Sequence, residues 1–182
     1  MISPLSLPKR LLRKFAQSEA GSATIEFVIL FPFLISFLLG SVEIGVLKVR
    51  HVMLERAVDL SVRDLRLGTW NPPTHDELKE KICKLAGIIP DCIDVILIEL
   101  RPVSTETWAP LGTATKCLDR GSEIKPLTAF NGGTQNEMML VRACVIVDPF
   151  FKSSEFALDL PKHDSDGGYA LISVSAFVNE PN

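Results

Sequence analysis

The stretch Gly21-Ser-Ala-Thr-Ile-Glu-Phe27, together with the apolar run behind it, decides how this chain is organised. No residue from Phe27 to Val42 carries a charge, whereas a carboxylate, Glu26, stands at the mouth of the run. Placing an ion in hydrocarbon is costly, so a charge at this position indicates that it has a partner. A basic cluster precedes the stretch, at Lys9, Arg10, Arg13 and Lys14.

The apolar run predicts a membrane-spanning helix. Residues Ile25 to Leu47 would extend about 34 Å as a helix, enough to cross a hydrocarbon core of roughly 30 Å. A secretory signal peptide is the alternative, but this run is longer than the usual apolar region of about 7–15 residues and no clear Ala-x-Ala site follows. Pro32 is expected to bend the helix, and Glu43 is expected near the outer interface. Basic residues flanking a span stay in the cytoplasm, so the bulk of the chain is predicted to lie outside.

An amphipathic pattern continues the helix beyond the span. Polar residues recur every three or four positions from Lys48 to Arg66. The opposite face is predicted to pack on the rest of the molecule, through Val46, Val49, Met53, Ala57 and Leu60. Gly68 supplies a stop signal, so we predict one helix from about Ser22 to about Leu67.

These boundaries divide the chain into four parts. Residues 1–21 form a basic leader, 22–47 a transmembrane helix, 48–68 its outer continuation and 69–182 an extracytoplasmic domain. In that domain Thr74 and Glu77 fit a capping box for a short helix that ends at Leu85 or Ala86. Apolar, β-branched segments at 94–100, 139–147 and 169–178 predict three strands. The fold class is therefore α+β, with a long helix lying on a small antiparallel sheet.

The four cysteines all follow the predicted span, at Cys83, Cys92, Cys117 and Cys144. An even number in an oxidising compartment indicates two disulfides, whereas a zinc site usually shows tight Cys-x2-Cys pairs that this chain lacks. Four cysteines allow three pairings. We favour Cys83–Cys92, which closes the short helix and its turn, and Cys117–Cys144, which joins a long loop to the central strand.

Composition and motifs argue against catalysis and against nucleic-acid binding. The formal net charge is −3, and the dense basic cluster belongs to the leader, so no basic patch indicates a nucleic-acid partner. His51, His75 and His163 lie in polar surroundings and are expected at the solvated surface. We therefore predict no enzyme activity, no catalytic residues, no cofactor and no metal.

The junction between leader and helix resembles the processing site of type IV prepilins. The pattern Ala-Thr-Ile-Glu-Phe-Val-Ile-Leu-Phe-Pro at 23–32, followed by an acidic residue at 43, is similar to TadE/TadG-type minor pseudopilins of the tight-adherence (Flp-type) pilus system. The resemblance covers roughly residues 20–67. It implies a pilin-like fold, a structural role, and a prepilin peptidase that cuts between Gly21 and Ser22.

The resemblance also implies partners and a location. The partners are the membrane, the peptidase, other pilin or pseudopilin subunits and a pilus assembly platform. The location is the bacterial inner membrane, with a cytoplasmic N-terminus, a periplasmic domain and entry into the pilus as a further possibility. Glu26 and Phe27 take the positions that serve assembly and subunit register. An uncleaved single-span protein whose periplasmic domain binds an envelope partner is the alternative, as is a Glu26 that merely extends to the inner headgroups.

Overall fold

A computed structural model of the chain describes residues 22–68, 70, 74–107, 117–121, 128–151 and 167–180. The leader 1–21, including the predicted cleavage residue Gly21, lies outside these ranges, as does His163. The chain forms two compact units, residues 1–41 and 42–182. A single helix, α1 (Ser22–Arg66), contributes to both, and its range from Thr24 to Arg66 is long and apolar enough to cross a membrane.

In the first unit the described residues are all helical. Their apolar side chains are largely exposed, including Phe27, Phe33 and Phe37. The helix continues through Pro32, and Ser36 Oγ donates to the Pro32 carbonyl oxygen at 2.7 Å. Polar side chains that bond to their own helix are tolerated in lipid, because no hydrogen-bonding group is left without a partner.

In the second unit the last part of α1 belongs to the hydrophobic core. Its buried residues are Leu47, Leu54, Ala57, Val58 and Val62. The predicted stripe was partly wrong, because Val49 and Leu60 are exposed and only Ala57 of that set is fully buried. Apolar residues occur on several sides of this helix, so its periodicity could not select the face that packs.

Two short helices follow. Helix α2 (His75–Ala86) begins with the predicted capping box, in which Thr74 Oγ1 accepts from the Glu77 N–H and Glu77 Oε2 accepts from the Thr74 N–H. An ion pair between Lys81 and Asp64 connects α2 with α1. Helix α3 (Cys92–Val95) occupies the place where the sequence predicted the start of a strand. The N–H groups of Asp94 and Val95 both donate to the Asp91 carbonyl oxygen, and this closes a helical turn ahead of the strand.

The sheet has three antiparallel strands in the order β1-β2-β3, as the fold prediction required. They are β1 (Ile96–Val103), β2 (Met138–Val147) and β3 (Tyr169–Val178). Strand β2 is central and buried along nearly its whole length. In β3 buried residues alternate with more exposed ones, and the row that faces the core contains Leu171, Ser173 and Phe177.

Helix α1 contacts β3 at Ile172 and again just beyond the C-terminal end of the strand. His51 Nε2 is 3.0 Å from the Ile172 carbonyl oxygen. Beyond the strand, the Glu180 N–H donates to the Arg66 carbonyl oxygen, and the two side chains form an ion pair at 3.0 Å.

The four cysteines form two disulfides, Cys83–Cys92 and Cys117–Cys144, which are the pairs that the sequence favoured. Their Cα atoms are 5.6 Å and 5.3 Å apart. The first joins α2 to α3, and the second fixes a loop to β2. Both lie in the second unit, and they cross-link segments that would otherwise depend on a small core.

Candidate functional site

Glu26 lies near the start of α1 and is exposed. Because the helix begins at Ser22, its first turn contains no acidic residue, and Glu26 opens the second turn. Within the described residues, Glu26 has no hydrogen bond and no ion pair.

The neighbours of Glu26 in the helix are apolar, and their side chains are also exposed. Ile25, Phe27 and Val28 are each more than 60% exposed. Phe27 contacts Phe31, with ring centroids 5.1 Å apart. A helix with such a surface is stable only when lipid or another protein covers it, so Glu26 is a charge on a surface that must leave water.

The residues of the predicted cleavage site can be placed only in part. Gly21 is outside the described ranges, and Ser22 is the first residue of α1. An amine on Ser22 would stand about 6 Å along the helix axis from the level of Glu26, one turn away. A carboxylate at that distance can reach the amine of its own chain or that of a neighbouring one.

Glu43 is a functional candidate that the sequence did not reveal. The sequence predicted an interfacial, solvated carboxylate, but Glu43 is only 1% exposed. Its Oε1 accepts from the Phe150 N–H at 2.9 Å and its Oε2 from the Phe151 N–H at 3.1 Å. The sequence feature that could have drawn attention to Glu43 is the position of a carboxylate next to an apolar run. The partners lie more than 100 residues later in the chain, beyond the reach of any local pattern.

The described histidines show no catalytic arrangement. His51 contacts the edge of β3 and lies 3.5 Å from Glu55. His75 contacts Asp76 and stacks edge-on against Phe130. Among the described residues no group of three or more histidine, cysteine or acidic side chains is placed to hold a metal ion.

The fold and these sites together define a class, that of an α+β protein with a disulfide-linked unit and one helix that is long and apolar enough to cross a membrane. Residues 21–63 match the family described as TadE-like protein. The predicted resemblance is therefore confirmed over this segment, which is about a quarter of the chain, and the TadE-like family suggests involvement in the Tad pilus system. Comparisons with curated proteins and with solved structures gave no match.

Proposed function

We propose that this chain is a minor pseudopilin that a prepilin peptidase cuts after Gly21, and that takes part in assembling or priming a thin adhesive pilus. The observation that carries the proposal is the open Glu26 carboxylate on the exposed apolar helix of the TadE-like segment. The matched segment begins at Gly21 itself, and α1 begins at the following residue.

The proposed mechanism is charge pairing in lipid. Cleavage creates an α-amine on Ser22, one helical turn from Glu26. An unpaired carboxylate costs up to about 3 kcal/mol on insertion scales, the full value applying at the bilayer centre, and its cost falls when it pairs with an amine. When the amine belongs to a neighbouring subunit, the pair also fixes the axial register between the two helices.

The same proposal gives the chain an orientation. The basic residues of the leader favour a cytoplasmic N-terminus in the bacterial inner membrane. The two disulfides are consistent with a second unit that folds in the oxidising periplasm. The proposed partners are then the peptidase, other pilin or pseudopilin subunits and the pilus assembly platform.

The N-terminus of the mature protein tests the proposal. Intact-mass measurement of the membrane form should give a chain that begins at Ser22. Gly21→Val should leave the full-length precursor, because a bulky side chain does not fit a peptidase that accepts glycine. Gly40→Val is the matched control. A Cβ at Gly40 meets no atom within 4 Å, so this variant should be processed normally.

A mature protein that still carries Met1, or normal processing of Gly21→Val, would contradict the proposal. Retention of the leader would instead favour an uncleaved single-span protein whose periplasmic domain binds an envelope partner.

A further inference from the structure

The second unit begins at Val42, where the apolar run of α1 ends. Val42 and Ile44 are exposed apolar residues of this unit, at 40% and 44%, and Lys48 is the first basic residue beyond them. A spanning helix meets the outer headgroups where such a run gives way to charge, so this part of α1 marks the level of the bilayer border.

Residues 148–151, which follow β2 and are called the loop below, are held at that level. Glu43 lies between Val42 and Ile44, and both of its carboxylate oxygens accept backbone N–H groups of Phe150 and Phe151. Hydrogen bonds to a charged acceptor are stronger than neutral ones, and here two of them fix the same loop. The position of the loop along α1 is therefore set by Glu43, with a further hydrogen bond from Arg50 to the Asp148 carbonyl oxygen.

The loop presents an aromatic ring to its surroundings. Phe150 is 57% exposed, although its neighbour Phe151 is half-buried. The two rings meet edge to face, with centroids 5.0 Å apart. A phenylalanine ring is wholly apolar, and it leaves water when it enters the boundary between headgroups and acyl chains, as the Trp, Phe and Leu side chains of interfacial segments do.

We propose that Phe150 inserts into the outer-leaflet interface of the membrane that α1 crosses, and that Glu43 holds it there. The loop is a second point of membrane attachment, in addition to the helix. The inference rests on the membrane anchoring of α1, which the proposed function shares, but it needs neither cleavage after Gly21 nor pairing by Glu26.

The charges near the loop decide which part of the lipid it recognises. A cavity of about 290 Å³ beside Phe150 is lined by Arg50 and Arg120 but also by Asp91 and Asp148. Arg50 donates to the Asp148 carbonyl oxygen, and Arg120 lies 2.7 Å from its carboxylate. Because the charges balance, the attraction is apolar insertion and does not depend on anionic headgroups.

Lipid quenching of tryptophan fluorescence tests the insertion. Phe150→Trp in the full-length chain, reconstituted in phosphatidylcholine vesicles, should lose emission when the lipids carry bromine at a shallow acyl position. Val52→Trp is the control, because Val52 is equally exposed at 58% but lies about 13 Å further along α1 from Glu43. Trp70 and Trp108 give a background that is subtracted with the parent protein.

Quenching of the tryptophan introduced at position 150 no greater than at position 52 would overturn the proposal. So would a blue-shifted emission without quenching, because the ring would then be buried against another protein subunit.

The holding role of Glu43 is tested in the same system. Glu43→Gln keeps the volume but replaces one accepting oxygen by a donor, so quenching at position 150 should fall. Glu55→Gln, on the exposed side of α1, should leave it unchanged. Unaltered quenching in Glu43→Gln would refute the holding role.

The outcomes for the two proposals are separable. If the mature chain starts at Ser22 but shows no quenching, only the proposal of loop attachment is refuted. If the chain keeps its leader and shows quenching, only the pseudopilin proposal is refuted.

Discussion

A single carboxylate, Glu43, shows both the value and the limit of reading residues from sequence. Its place at the end of an apolar run predicted a carboxylate near the outer interface, because charge is excluded from the run itself. The partners are backbone N–H groups of a loop that is distant in sequence. Such a contact depends on the completed fold, so neither spacing nor propensity could have identified it.

Removing this carboxylate should destabilise the second unit. Glu43→Ala leaves two partly buried N–H groups without their acceptor, and we expect a loss of about 2–4 kcal/mol in the free energy of unfolding. Denaturation of the full chain in mild detergent, followed by far-ultraviolet circular dichroism, measures it.

Glu55→Ala serves as the control for that measurement. Its side chain is 53% exposed and its contact is a surface pair with His51, so the expected change is about 0–1 kcal/mol. Equal losses in the two variants would show that Glu43 contributes no more than a surface charge.

Among the helices and strands, local sequence patterns predicted the features that depend on neighbouring residues alone. Helix α1, the capping box of α2 and the limits of β3 follow from periodicity, cap residues and β-branched runs. What could not be predicted is which face packs. In β3 both rows contain apolar residues, yet Ile172 and Val174 are exposed, because β3 is an edge strand whose second face is only partly covered.

The two disulfides should contribute unequally to stability. The linked residues are 9 apart for Cys83–Cys92 and 27 apart for Cys117–Cys144. Closing a longer loop removes more entropy from the unfolded chain, so we expect losses of about 3 kcal/mol and about 4 kcal/mol on removing the first and second bonds.

Paired Cys→Ala variants of each bond, unfolded in detergent beside the parent protein, measure these losses. A larger loss for the shorter loop would mean that strain or packing, and not chain entropy, dominates.

For the whole molecule the decisive contrast is between its two units. The described part of residues 1–41 is a helix whose side chains are largely exposed, whereas residues 42–182 contain a core, a sheet and both disulfides. This helix therefore requires an environment that the described residues do not supply, whereas the second unit has a core of its own. The assignment of Gly21 and Ser22 to cleavage, and of Glu26 and Phe27 to register, stays a prediction.

Loss of the Glu26 charge should separate processing from assembly. Glu26→Gln should still give a mature chain that begins at Ser22, but the amount of co-purifying pilin subunits should fall at least about tenfold. Breaking one partner of a buried ion pair costs about 3–5 kcal/mol, more than enough for that change. Quantitative mass spectrometry of native complexes measures it.

Glu55→Gln is again the matched control and should assemble normally. Undiminished co-assembly of Glu26→Gln would show that the carboxylate does not set the register.

The contacts of α1 with β3 and just beyond it have a consequence for polymerisation. An unguarded border strand invites a foreign strand to add to the sheet, which is the route to amyloid-like growth. Here His51 engages the Ile172 carbonyl group and Arg66 engages Glu180 just beyond the strand, so a strand that added along β3 would have to displace these two contacts. Copies of this protein that accumulate at high local density should therefore associate through side chains, and this association should stay reversible.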